Sequence, residues 1–533
     1  MSTATEPFGR RCPNCIGIGI DDTMLEGSSA ELEDGRRYVK FDFEEAWYRV
    51  FPLANPIKDS FPTLPVLSAS SKDGCTFCAF LKDLFTSGEV FYLFEDIIQG
   101  FTERDGLPFD LKLEFQWRFS VESADLDFSQ LQYLIIMVIF DETTKVWHDN
   151  THWRNPIQIH CSVQPLPGED HRNDDVATWL QLERASVPDL LSPETIAGIK
   201  QQLSSCYHGI GEHEGVCVTN EPSYFVPTRL IDVRQADLRI LSGESISQQS
   251  REAGICPSYT ALSYCWGKIS DVEAEYQTTS QNLEARQTRL EANLPPVLRD
   301  AVAVTRALSI PYLWVDAICI LQDQLGDWET ESARLDKVYA TAYVTIVCLT
   351  SSCQLGFLQP QKPRTNMAFR SRIDPTISGG YRIEFANCYW HSLPRKGHND
   401  LLPSSRWFSR GWTYQEAWLS SRVLFVGLDF MGISCAAGLF AEGQWTQQGG
   451  LQNAMTQTRA SDDFGHRWLK TAFYYLDRYL SVPGDALPAL SGVAGIFAAS
   501  MGDDYLAGVW GSDIVRGVLW GYAMPLQSKP PDA

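Results

Sequence analysis

Between Tyr259 and Leu349, short apolar runs alternate with amphipathic stretches, and this alternation limits the fold more than any other part of the chain. "YTALSYCWG" reads as a short strand ending in glycine, and "YLWVDAICIL" and "YVTIVCL" read as two more. Between them lie two helices. In "LPPVLRDAVAVTRAL", Val297, Ala301, Val304 and Leu308 recur on one helical face, with Pro295 and Pro296 near its start. "GDWETESARLDKVYATA" is the second helix, with Asp327 as its expected N-cap. Strand, helix, strand, helix, strand in this order predicts a βαβαβ unit on a parallel sheet, hence an α/β domain.

Two acids stand out in this unit. Asp316 falls inside the second apolar run and, on a strand, shares a face with Trp314, Ile318 and Ile320. A buried carboxylate is costly unless it is paired, hydrogen-bonded or protonated. Parallel sheets bind ligands at the carboxyl ends of their strands. Asp316 therefore either accepts backbone N–H groups and fixes a loop, or takes a ligand or catalytic role. At about 100° per residue, Trp328, Ser332, Leu335, Tyr339 and Ala342 form the inner stripe of the next helix, with Glu331 at its edge. Glu331 is then either a partner of Arg334 or a first-turn acid favoured by the helix dipole, or a half-desolvated carboxylate facing a cleft.

The flanks are less regular. "DLKLEFQWRFSV", "LQYLIIMVIF" and "NPIQIHCSV" predict strands of an antiparallel sheet, preceded by a helix-like "FCAFLKDLF". "PLPGEDHRND" and "GESISQQSREAGICPS" read as polar breaks. Between them "SPETIAGIKQQLSSC" is a helix, with Ser192 as N-cap and Pro193 at its first position. The organisation expected is an N-terminal α+β region with paired cysteines over 1–165 and a connecting region over 166–254. An α/β domain over 255–440 and a helical region over 441–533 follow. "RGWTYQEAWLSSR" concentrates Arg410, Trp412, Gln415 and Glu416 on a short helix, as a buried lock of ion pairs or as a wall for stacking a ligand.

Composition excludes some functions. The 533 residues carry a formal net charge of -22 and no basic cluster, which argues against a nucleic-acid partner. The longest apolar run, Tyr133–Phe140, is far too short to span a membrane, and the N-terminal stretch is polar rather than signal-like. The 14 cysteines are expected to be reduced thiols or metal ligands in a cytosolic protein. "CPNC" and "CTFC" place Cys12, Cys15, Cys75 and Cys78 as two pairs suited to a tetrahedral structural zinc. "CYHGIGEHEGVC" has a spacing that matches no standard zinc site and reads as a packed loop. No nucleophile elbow, phosphate loop or zinc-protease helix occurs.

Four stretches in series, "YTALSYCWG", "LPPVLRDAVAVTRALSIPYLWVDAICILQD", "DWETESARLDKVYATAYVTIVCL" and "RGWTYQEAWLSSRVLF", resemble the successive motifs of the fungal heterokaryon-incompatibility (HET) domain. The resemblance spans about Tyr259 to Val426. "VPTRLIDV" and "YYLDRYLSVPGDALPALSGVAGI" with the following "YLAGVWGSDIVRGVLWG" are similar to the flanks of such proteins, which usually continue past this last motif, so the C-terminal part is expected to be incomplete. The resemblance implies a fungal cytoplasmic effector of nonself recognition that promotes programmed cell death. It also implies a remote likeness to TIR domains, with a flavodoxin-like sheet and cleavage of NAD by a helix-borne glutamate. That role falls on Glu331, in a "DWETE" context similar to a W-x-x-E pattern, with Asp316 orienting a ribose hydroxyl or supporting a loop. Ser263, Trp266 and Gly267 would form the mouth after the first strand, joined in substrate binding by Arg410, Trp412, Gln415 and Glu416. The alternative is a signalling module without chemistry, acting by self-association or by binding other incompatibility-system proteins.

Overall fold

Apolar and polar residues alternate from Leu111 to Phe119, and in the computed structural model of the chain this stretch is a strand with Leu111, Leu113, Phe115, Trp117 and Phe119 turned inward. The described residues are 8–25, 28–31, 35, 37–40, 48–88, 90–91, 109–121, 129–140, 157–166, 174–182, 190–217, 225–267, 273–290, 293–358, 362–389, 405–427, 431–441, 444–446, 464–476, 478–480 and 482–519. The expected break at Pro165–Asp174 lies mostly outside them. The chain forms two compact units. One is drawn largely from Met1–Ser186 and Gln361–Lys396, the other from Val187–Pro360 and Gly397–Leu526.

In the first unit the strands expected from alternation are Phe109–Val121, Ser129–Phe140 and Ile157–Pro165, paired antiparallel in sequence order. Ser378–Tyr389 and Arg364–Arg370 continue the sheet on one side. Tyr48–Pro52 and Ile57–Phe61 lie end to end against Phe109–Val121 on the other. Asp22 is sealed from solvent. It accepts from Trp179 Nε1 at 3.1 Å, from the Arg372 amide at 2.9 Å and from the Ser371 hydroxyl, and so joins three distant segments.

The second unit corrects the expected fold class. Its nine-stranded sheet runs Gln444–Thr446, Gly438–Ala441, Met431–Cys435, Arg422–Val426, Val344–Cys348, Tyr259–Ser263, Tyr312–Trp314, Arg229–Asp232, Arg239–Ser242. Only the three central pairings are parallel; the other five are antiparallel. With the first unit's sheet wholly antiparallel, the protein is not a flavodoxin- or TIR-like parallel fold. The flanking hairpins account for the difference. The strands of each hairpin are too close in sequence for the helical crossover that parallel pairing needs, so the chain turns back on itself, and Tyr312–Trp314 meets the outer hairpin antiparallel. The central strands read correctly as continuous apolar runs because they are buried on both faces.

Local expectations fared unevenly. The helix Pro296–Ala307 buries Val297, Ala301 and Val304, with Leu308 at its end. The helix Pro193–His208 is capped by Ser192, whose hydroxyl accepts from the Thr195 amide at 3.2 Å. "YLWVDAICIL" is not one strand. It leaves the sheet at Trp314, and Asp316–Cys319 form a helical turn with all three following side chains buried. A short run that is apolar throughout carries no period to separate strand from helix. The second helix is two, Leu325–Ser332 and Leu335–Thr341, and Gln324 rather than Asp327 precedes the first. Gly243–Ala253, read as part of a break, is a helix capped by Ser242. Pro483–Met501 is long and apolar enough to cross a bilayer. Yet its Pro488–Met501 helix turns Ala489, Leu490, Val493, Ala494 and Phe497 into the core.

Ile346, fully buried in Val344–Cys348 between two parallel neighbours, tests this arrangement. Ile346→Ala is expected to cost about 2–5 kcal/mol, read as a lower urea midpoint. Val482→Ala, at a half-exposed site, is expected to stay within about 0.5 kcal/mol.

Candidate functional site

The parallel strands Tyr259–Ser263 and Tyr312–Trp314 end side by side, and each is followed by residues that meet below the helix Gly411–Leu419. Asp316, two residues past its strand, is half-buried. Its Oδ2 accepts from Trp266 Nε1 at 2.9 Å and its Oδ1 from the Ala317 amide at 2.7 Å. Glu416 comes from the helix and accepts from the Ser263 hydroxyl, which in turn accepts from Trp407 Nε1 at 2.7 Å. Arg410 precedes the helix, and its Nη1 donates to the Tyr264 carbonyl at 3.0 Å. Gly267 has φ +72°, and a Cβ there would stand 2.4 Å from Ser352 Oγ and 2.8 Å from Ser352 Cβ, so only glycine lets the chain turn away after Trp266.

The charges in this cleft act on one another. Burial pushes Glu416 up to about 7, with the Asp316 charge adding to it and Ser263 and Arg410 acting against. Burial likewise raises Asp316, against the Ala317 amide and the Trp266 indole. Arg410 is lowered by burial but raised on balance by Cys265, Glu416 and Asp316. The phenols of Tyr264 and Tyr276 are buried beside one another within the field of Asp316. Two carboxyl groups whose proton affinity burial raises, one arginine and buried phenols make a site suited to proton transfer on a polar ligand.

Not every residue singled out in the sequence lies here. Ser263, Trp266, Gly267, Asp316, Arg410 and Glu416 come together. Trp412 instead donates from Nε1 to Asp485 at 3.0 Å and stacks edge-on with Trp328, and Gln415 accepts from the Gly492 amide at 2.8 Å. Both fasten the C-terminal helices to Gly411–Leu419. Glu331 is only 2% exposed, and its Oε1 accepts from Thr228 Oγ1 at 2.5 Å. Beside it on the helix, Asp327 pairs bidentately with Arg229 and accepts from the Leu321 amide at 2.8 Å. Glu331 is thus tied to the residue just before the strand Arg229–Asp232, and among the described hydrogen bonds it shares no partner with Asp316. Tyr264, Tyr276 and Trp407 escaped notice in the sequence; the first directly follows a strand, which was the one available signal.

In the first unit, Cys12, Cys15, Cys75 and Cys78 do converge. The sulfurs of Cys12 and Cys15 lie 3.5 Å apart, those of Cys12 and Cys78 3.6 Å, and those of Cys15 and Cys78 3.4 Å, and all four fall within 4.8 Å of one another. These are spacings of a tetrahedral ligand set rather than of a disulfide.

A sheet with a parallel centre, an acid pair at its strand ends and a Trp-rich helix over it define a domain built around a polar cleft. Residues 259–416 match the family model described as Heterokaryon incompatibility protein (HET). These residues therefore form a HET domain within the chain, and that domain points to a role in heterokaryon incompatibility. No curated protein and no solved structure matches it.

The raised value of Glu416 fixes a pH dependence. Its proton is held more tightly folded, at about 7, than at the ordinary 4.5. Its contribution to stability is therefore complete below about 4.5, is lost as pH rises through about 7, and is constant above. Glu416→Gln keeps an acceptor for Ser263 but cannot ionise. Urea midpoints of the variant are expected to gain on those of the wild type across that window and to run parallel to them above it.

Proposed function

We propose that this protein is a fungal nonself-recognition effector whose HET domain promotes death of incompatible fused cells by hydrolysing the nicotinamide–ribose bond of NAD in the Asp316–Glu416 cleft. The observation that carries this reading is the pair of half-buried acids, Asp316 just past the strand Tyr312–Trp314 and Glu416 on the helix above and bonded to Ser263 at the end of the neighbouring strand, with Arg410 beside them. In the reaction the bond to nicotinamide breaks, the base leaves as neutral nicotinamide, and water adds to the ribose carbon with release of one proton. Asp316, as the anion, offsets the positive charge that develops on the ribose. Glu416, with a proton affinity near neutrality, takes the proton from water. Arg410 supplies positive charge for the diphosphate.

The protein works in the cytosol, where its thiols stay reduced, with other incompatibility-system proteins or with copies of itself, and without a nucleic-acid partner or a membrane span. Cys12, Cys15, Cys75 and Cys78 hold a structural zinc that ties the N-terminal loop to the helix Thr76–Thr86. One observation favours a signalling module without chemistry. Glu331, the acid that the resemblance singles out, is sealed by Thr228.

Glu416→Gln and Glu331→Gln separate these readings. Glu416→Gln is expected to lower NAD turnover by purified, concentrated protein by about 100-fold or more and to abolish toxicity in cells. Glu331→Gln keeps an acceptor for Thr228 and is expected to change turnover by only a few-fold. Loss of activity in Glu331→Gln alone would move the chemistry to Glu331. Full toxicity in both variants, with no turnover in the wild type, would leave the signalling module.

A further inference from the structure

Four side chains that the cleft does not use meet elsewhere in the second unit. Cys206 lies near the end of the helix Pro193–His208, His213 ends the turn Gly211–His213, Cys217 follows four residues later, and Cys435 ends the strand Met431–Cys435. All four are buried or nearly so, and one ligand atom from each falls within 4.8 Å of the others. His213 Nδ1 is 3.3 Å from Cys217 Sγ and 3.4 Å from Cys435 Sγ, and the two sulfurs are 3.6 Å apart. We propose that Cys206, His213, Cys217 and Cys435 form a second structural metal centre, a Cys₃His site for zinc.

The distances suit this and not a disulfide. A disulfide brings two sulfurs to about 2.05 Å. A tetrahedron with zinc–sulfur bonds of about 2.3 Å has edges of about 3.8 Å, shorter where a nitrogen replaces a sulfur. Three soft thiolates and an imidazole favour zinc over magnesium or calcium. Four protein ligands close the coordination sphere, which marks a structural site rather than a catalytic one.

Arg422 is an independent sign of the charge such a centre would carry. It is 2% exposed and stands directly across the ladder from Cys435. Its guanidinium lies over the rings of Tyr207 at 5.3 Å and Tyr343 at 5.5 Å, and its Nε donates to the Tyr343 carbonyl at 2.6 Å. Among the described residues no carboxylate pairs with it. A buried cation needs a counter-charge. Three thiolates and a neutral imidazole on a divalent zinc leave one net negative charge, and Arg422, whose field reaches Cys206, offsets it. With four neutral side chains in its place, that arginine has nothing to balance it.

The centre would fasten the segment after Pro193–His208 to the antiparallel flank of the HET sheet, with Cys217 and Cys435 separated by 218 positions. That separation is why the spacing in "CYHGIGEHEGVC" shows no zinc pattern: the fourth ligand comes from a distant strand.

Zinc counted by elemental analysis in the full-length chain tests the site. Cys435→Ser and Cys217→Ser are each expected to hold one zinc fewer per chain than the wild type, and Cys256→Ser, outside both clusters, the same number as the wild type. Cys12→Ser reports on the other cluster separately, so failure of one assignment does not touch the other. Because a ligand variant can fail to fold, zinc release is also followed in the wild type during mercurial titration. One ion is expected to leave as the thiols of Cys206, Cys217 and Cys435 are blocked, identified by peptide mapping. Unchanged zinc in both variants, no zinc released with these three thiols, or a mass showing a Cys217–Cys435 disulfide would overturn the proposal.

Discussion

A carboxylate just past the end of a buried strand stays out of bulk water only if donors are brought to it. For Asp316 those donors are the indole of Trp266 and the amide of Ala317. The first exists because Gly267 lets the chain turn sharply after Trp266, and the second because the chain coils into a helical turn as soon as it leaves the sheet. Glu416 is held to the same cleft through Ser263 and Trp407. The charge of Asp316 raises the cost of ionising Glu416, so the cleft depends on the strand end and the helix Gly411–Leu419 being placed together.

The central strands and the helix Pro296–Ala307 were legible because burial on both faces, or on one helical stripe, leaves a clear period. The antiparallel flanks were not. Their strands are three to five residues long and pair through hairpins whose register is set by the fold rather than by local pattern. Asp316 drew attention as a polar residue in an apolar run, and the structure gives it donors, though on a helical turn and not a strand. Glu331 was placed at the margin of a buried face, and it is buried. What no helical arithmetic could supply was its partner, Thr228, which lies 103 positions earlier.

The site was only partly readable for the same reason. Arg410, Trp412, Gln415 and Glu416 sit on or just before one short helix, and sequence treats them alike. The fold sends Arg410 and Glu416 to the acid cleft and gives Trp412 and Gln415 to the C-terminal helices. The cysteines divide likewise. Two adjacent pairs announced a cluster in the first unit, whereas the second unit's cluster needed a strand more than 200 positions away.

The central claim is that Glu416 shares a water-poor cleft with Asp316 and titrates near neutrality. Carbon-13 NMR of glutamate-labelled protein, with the Glu416 resonance assigned by its loss in Glu416→Gln, measures this directly. A midpoint close to 7 is the result the account predicts. A midpoint near the ordinary 4.5 would mean an acid open to solvent and out of reach of its neighbour, and would contradict it.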